Sequence, residues 1–275
     1  MSNFLQSHLD KLKNIFSNPD FELRMLLNKS SFNEREIIFS NFEVKNINLL
    51  KFKKFFNRRM KGEPLSKIVN SKSFWKYNFF VNNDVLDPRP ESELIIENIL
   101  KLYSKKDMGL KILDMCTGSG CLAISLAKEY PAAELTATDI SSKALNVAKI
   151  NAKNLNCQNQ IKFIKCNLLK NLQKYDIVVS NPPYLSIAEY KKTSHSIQLF
   201  EPKKAFIASN DGYEFYLKIA SILPKIIHFN TRVFLEIGHN QAPKVIKILK
   251  KNNLTCIKVV KDLGNLDRLL ISKIA

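Results

Sequence analysis

The chain has 275 residues, 45% hydrophobic and 25% charged, enough for one large domain and a smaller one around a substantial core. No apolar run approaches the roughly 20 residues of a membrane-spanning helix, and His8, Asp10, Lys11 and Lys13 interrupt the start where a secretory signal would be apolar. The five cysteines are odd in number and lack C-x-x-C spacing, so reduced cytoplasmic thiols are expected, with no disulfide framework, no metal and no membrane. A net charge of +18 admits a nucleic-acid partner. It also fits a genome that favours A and T, because the chain is equally rich in Asn, Ile and Phe; with no run of five or six like charges, both accounts stay open.

In the first sixty residues apolar side chains recur at helical spacing, in Phe4, Leu5, Leu9, Leu12, Ile15 and Phe16 and again in Phe21, Leu23, Leu26 and Leu27. A third helix is predicted over 49–60, with Phe52, Phe55 and Phe56 inward. Residues 1–62 are therefore expected to form a small all-helical domain. Over 63–90 the aromatic and β-branched stretches 66–69 and 74–81, split by Asn70-Ser71-Lys72, predict a linking β-hairpin. Asp87-Pro88-Arg89-Pro90-Glu91 then stops extended structure and starts a helix reaching about Tyr103.

Residues 91–275 are expected to form the catalytic domain. Strands are predicted at 112–114, 133–138, 161–166, 175–180 and 232–236, and helices at 121–130, 143–155, 213–223 and 241–251. Such alternation means a parallel, doubly wound α/β sheet. Two further strands, near 256–260 and 268–274, have no helix between them and predict an antiparallel hairpin at one edge.

The first of these strands runs through Asp114 into Met115-Cys116-Thr117-Gly118-Ser119-Gly120, which opens a helix. Glycines at such a turn let backbone approach a ligand, and the helix start offers N–H groups to an anion. The full G-x-G-x-x-G of dinucleotide enzymes is absent. The D-x-x-T-G-S-G form suits the methionine carboxylate of S-adenosylmethionine. One strand–helix–strand unit later, Asp139 is placed to accept the ribose hydroxyls, and Asn167 and Leu168 end the next strand where adenine would lie.

Strand 175–180 ends in Asn181-Pro182-Pro183-Tyr184, at the sheet edge where ligands of open parallel sheets bind. The prolines fix the backbone and leave carbonyls as acceptors. Asn181 adds a side-chain acceptor, and Tyr184 a flat aromatic face. An amide nitrogen is a poor nucleophile because its lone pair is delocalised. Two acceptors on its hydrogens orient it towards a methyl sulfonium and stabilise the developing positive charge. A lone Pro-Pro is an ordinary turn; its position after a methionine-cofactor loop is what makes it specific.

With these motifs the chain resembles the release factor glutamine methyltransferases, over nearly its whole length and most weakly in the first sixty residues. Phe74-Trp75, the segment 86–93, Glu189-Tyr190, Glu201-Pro202, Asp211-Gly212, the segment 236–241 and the segment 262–268 follow the family in order and spacing. The resemblance implies a seven-stranded Rossmann-like methyltransferase sheet with the helical domain in front. It implies a substrate, the glutamine of the Gly-Gly-Gln motif of class I peptide chain release factors. By the same likeness Asn181 and the Pro182 carbonyl would grip the amide, Pro183 and Tyr184 would complete the catalytic tetrapeptide, and Leu86, Pro88, Arg89 and Glu91 would wall the pocket. A cytoplasmic monomer that meets the ribosome through its substrate is expected. Two positions depart from the family pattern: Cys116 replaces the loop's first glycine, and Asn167 replaces an acidic residue. Because Asn-Pro-Pro-Tyr also occurs in adenine-N6 DNA methyltransferases, a nucleic-acid base methyltransferase, acting on DNA or ribosomal RNA, is the alternative.

Overall fold

The computed structural model describes residues 3–32, 39, 42–166 and 173–275. They fall into two compact units: one comprises residues up to Asn70 together with His195–Phe200, the other Ser71–Ser194 and Glu201–Ala275.

In the first unit lie α1 (Asn3–Lys13), α2 (Pro19–Ser30), α3 (Leu49–Met60) and α4 (Leu65–Val69). Asn18 and Asn48 cap α2 and α3 by accepting from the Phe21 and Lys51 N–H groups at 3.1 and 3.0 Å. Leu5, Leu9 and Leu12 share one face of α1 and pack with Leu23, Leu26, Leu27, Phe52, Phe56 and Ile68. Arg58 and Arg59 are engaged inside this unit. Arg58 forks onto Glu63, and Arg59 onto Glu22 with both bonds at 2.7 Å while its guanidinium covers the Phe16 ring at 3.7 Å.

The expected strand at 66–69 is instead α4. Pro64 stands at its start, Ile68 turns into the helical core, and Asn70 stops it with left-handed dihedrals, φ 52°. Tertiary burial of Ile68 outweighs the β preference of Ile68-Val69.

The second unit opens with a hairpin of β1 (Lys72–Phe74) and β2 (Tyr77–Phe79), shorter than expected and turning at Trp75-Lys76. Glu93 accepts from the Trp75 backbone N–H at 2.7 Å and Glu129 from its indole at 2.8 Å, which holds Trp75 at φ 55°. A 3₁₀ turn over Pro90–Ser92 leads to α5 (Glu93–Leu102). Next come β3 (Lys111–Met115), α6 (Cys121–Glu129), β4 (Glu134–Asp139), α7 (Ser142–Asn154), β5 (Ile161–Lys165) and β6 (Tyr175–Ser180). Short helices α8 (Ile187–Lys191) and α9 (His195–Phe200) follow, of which α9 clusters with the first unit, then the single turn α10 (Ser209–Gly212). The chain goes on through α11 (Glu214–Ile226), β7 (Ile227–Glu236), α12 (Ala242–Lys250), β8 (Leu254–Lys261) and β9 (Asp267–Ile274).

The seven-stranded sheet runs β5-β4-β3-β6-β7-β9-β8, parallel from β5 to β7 and antiparallel at the β7–β9 and β9–β8 pairs. Alternate residues feed its two faces. Ile112, Ile177 and Val179 pack with Ile95, Ile96, Leu122 and Leu126. Leu113, Val178 and Val233 pack with Tyr216, Ile219, Leu223, Val245 and Leu249. The strand order reverses between β3 and β6, where open sheets of this kind leave a crevice at the carboxyl ends. Among the described residues no helix is long and apolar enough to cross a membrane.

Candidate active site

The loop after β3 forms one wall of that crevice. Thr117 Oγ1 donates to Asp114 Oδ2 at 2.6 Å and the Ala123 N–H to the same oxygen at 3.2 Å, while Asp114 Oδ1 is buried with no partner. Burial pushes the Asp114 carboxyl up to about 7, against the lowering effect of those two donors. Gly120, at φ 81°, starts α6; a Cβ there would meet Ile124 and Ala148 at 3.0 and 3.1 Å, so the loop lies flat on α7 only because this residue has no side chain. Cys116 also takes a left-handed conformation, φ 62°, which costs an L-residue about 1–2 kcal/mol.

Asp139 ends β4 beside this loop. Its Oδ2 accepts from Gly118 N–H at 3.0 Å and its Oδ1 from Ser141 N–H at 2.8 Å. Two backbone donors fix the carboxylate and leave each oxygen a further lone pair, the right equipment for a pair of hydroxyls. Burial raises its pKa, and the backbone donors partly offset that.

On the other side of the switch, Ser180 Oγ donates to Met115 O at 2.7 Å and ties the end of β6 to the end of β3. Asn181 follows, half-buried, with its Nδ2 donating to Ser92 Oγ at 3.0 Å; Pro182 and Pro183 are buried. The Tyr184 carbonyl accepts from Gln241 Nε2 at 2.9 Å, and Gly212, at φ 89°, lies against it so closely that a Cβ would come within 2.3 Å of the oxygen. Leu185 then bridges Ile207 through backbone bonds of 2.8 and 2.9 Å. The tetrapeptide is therefore clamped from three segments.

A third wall comes from the residues before α5. Buried Glu201 accepts from Asp87 N–H at 2.9 Å and Arg89 Nη2 at 2.6 Å, which pins this segment to 201–205. These walls enclose a cavity of about 400 Å³, within the range of small-molecule sites. Of the residues expected from sequence, Leu86, Pro88, Arg89, Cys116, Thr117, Gly118, Ser119, Asp139, Asn181 and Pro183 line it. Asp114, Gly120, Glu91, Pro182 and Tyr184 do not line it and stand behind its wall or beside it. Asn167 and Leu168 lie outside the described residues.

Sequence reasoning missed other lining residues: Asn83, Asp84 and Val85, Ile140 and Lys143, and 202–205 with Phe215. Only Pro202 had a signal, through the Glu201-Pro202 pair. Ser92, also in the lining, lies within the segment quoted for the family resemblance, but its partner Glu236 is 144 residues away.

A seven-stranded sheet of this order, with a glycine loop at one strand end and Asn-Pro-Pro-Tyr at its neighbour, defines a methyltransferase. The methyltransferase small domain family matches residues 82–209. The fold is shared with a methyltransferase structure from Pyrococcus furiosus, 18% identical, with a TM-score of 0.57 over 78% of this chain and 98% of that one. Among sequence relatives, the release factor glutamine methyltransferase of Flavobacterium psychrophilum is 33% identical, over 98% of both chains. The bifunctional methyltransferase of Rickettsia bellii is 33% identical over 98% of this chain, which spans 54% of that protein's length. The chain belongs to the release factor glutamine methyltransferase family.

Proposed function

We propose that the cavity binds S-adenosylmethionine and that the chain methylates the side-chain amide nitrogen of the glutamine in the Gly-Gly-Gln motif of class I peptide chain release factors. One observation carries the reading: Asn181 and Pro183 line the same cavity as Cys116, Gly118 and Asp139. The methyl acceptor's grip and the donor's seat are therefore one space. When bound, the cofactor would supply a methyl group on a sulfonium; the carbon–sulfur bond would give way to a carbon–nitrogen bond, leaving a neutral thioether, and the amide nitrogen would release one proton to solvent.

The chain's own residues do the rest. Asp114, behind the cavity wall, would hold the loop in shape through Thr117 and Ala123, and the free lone pairs of Asp139 would accept the ribose hydroxyls. Thr117 to Gly120 border the methionine end, and Asn167 with Leu168 is assigned to adenine. Asn181 Oδ1 and the Pro182 carbonyl accept the two amide hydrogens, which directs the nitrogen lone pair at the methyl group and stabilises the charge that builds on nitrogen. Tyr184 packs beside the amide, while Leu86, Pro88, Arg89 and Glu91 exclude water. We further assign the enzyme to the cytoplasm as a monomer, with residues 1–62 for substrate recognition, 63–90 as linker and 91–275 for catalysis.

The test uses radiolabelled S-adenosylmethionine with a release factor, its Gln→Ala variant in Gly-Gly-Gln, duplex DNA and ribosomal RNA. Label on the wild-type factor alone, lost with Asn181→Ala, is the expected result. Label on a nucleic acid and none on the factor would transfer the assignment to base methylation.

A further inference from the structure

Asn181 can grip an amide only if its side chain is turned the right way. The two ends of a carboxamide have the same shape and opposite hydrogen-bonding sense, so rotation by half a turn would aim an NH2 group at the substrate's own NH2. The structure holds a device that decides between the two. Ser92 Oγ lies 3.0 Å from Asn181 Nδ2 and 2.5 Å from Glu236 Oε2. Ser92 and Glu236 are both buried, at 2% and 3% exposure.

An ionised carboxylate accepts and never donates. Facing one, the Ser92 hydroxyl must spend its single proton on Glu236 and can only accept from Asn181. The Asn181 NH2 is thereby drawn to Ser92, and its Oδ1, which has no partner among the described residues, is left for the cavity.

We propose that Ser92 and Glu236 are positioning residues that set the orientation of the Asn181 carboxamide and so make it an acceptor for the substrate amide. The consequence for catalysis rests on the amide-methylating function proposed above. Protonation of Glu236 would reverse the chain. Glu236 would donate to Ser92, Ser92 would donate to Asn181 Oδ1, and the NH2 would turn to the cavity.

Burial holds the Glu236 carboxyl up at about 7, with the Ser92 hydrogen bond lowering it and the Glu91 charge raising it. The other charged or titratable groups that face it are Arg268 on β9, Arg89 before α5, Cys121 on α6, Tyr184 after β6 and Tyr216 on α11. The reversal therefore falls in an accessible range.

The experiment reads orientation and turnover separately, on the full chain. With ¹⁵N-asparagine labelling, the Asn181 side-chain NH2 resonances should shift between pH 6 and 8 in the wild type and in Ser92→Thr, and should not respond in Ser92→Ala or Glu236→Gln. With a release factor as acceptor, turnover should rise over the same pH interval in the wild type and in Ser92→Thr. In Ser92→Ala kcat should fall about tenfold, the equivalent of about 1.4 kcal/mol, with KM for the factor unchanged and the pH dependence gone. Glu236→Gln should likewise lose the pH dependence. A normal Asn181 response with no label on the factor would leave the relay standing and reject the glutamine substrate. An Asn181 resonance indifferent to pH in the wild type, or wild-type kcat and pH profile in both Ser92→Ala and Glu236→Gln, would overturn the proposal.

Discussion

Cys116 shows how one residue can work against its own loop. Its left-handed dihedral is the conformation a glycine takes freely, and the tension was legible in the sequence, since Cys stands where the family pattern has Gly. Cys116→Gly should stabilise the protein by about 1 kcal/mol, a rise of about 2–4 °C in melting temperature for a chain of this size. Thermal denaturation with and without S-adenosylmethionine checks it. Asp114 and Glu236 both titrate near 7 through burial, above their unfolded values of about 4. The folded state thus holds protons that the unfolded state has released. Their contribution to stability is full below about pH 4 and is lost as the pH rises through about 7. In the ligand-free protein Asp114→Asn should flatten part of that decline, as chemical denaturation at pH 5 and pH 8 would show. Neither shift was visible in the sequence. Strand patterning brings Asp114 to a buried strand end, but only the fold reveals that one of its oxygens lacks a partner and that Glu236 meets a serine from another element.

At the scale of elements, the tetrapeptide is rigid because of what lies against it. Gly212→Ala would drive a methyl group into the Tyr184 carbonyl, add left-handed strain of about 1–2 kcal/mol and displace Asn181. Turnover should fall at least tenfold while cofactor affinity, which the proposed function assigns to the opposite wall of the crevice, stays within a few-fold. Steady-state kinetics and calorimetry separate the two. In the helical unit, Arg59→Ala strips the half-buried Glu22 carboxylate of its fork, which should cost about 2 kcal/mol and show as a lower urea midpoint. The three longer helices of this unit, α1 to α3, were legible from apolar periodicity, 49–60 to the residue. The linking hairpin lies within the expected stretch, but its first strand and turn were not legible, because Ile68-Val69 has local β preference and the turn uses a tryptophan where glycine or asparagine is the usual signal. What holds that turn, Glu93 and Glu129, comes from two other helices.

Across the whole molecule the doubly wound sheet and its antiparallel edge followed from the alternation of buried strands and amphipathic helices, a pattern each element carries in itself. The net charge of +18 repels itself in the compact state. Raising ionic strength from 20 to 200 mM should therefore raise the melting temperature, with most of the gain reached once the screening length falls to about 8–10 Å. The helix His195–Phe200 clusters with the front unit although some 120 residues of the other unit separate them in sequence. No local signal announces this; apolar spacing marks a helix without saying which core it joins. For anyone recombining relatives of this chain, the exchangeable helical module is accordingly two stretches of chain. A chimera that swaps residues up to Asn70 alone separates six native residues from the partners they evolved with, whereas one that carries 195–200 across as well keeps the module whole.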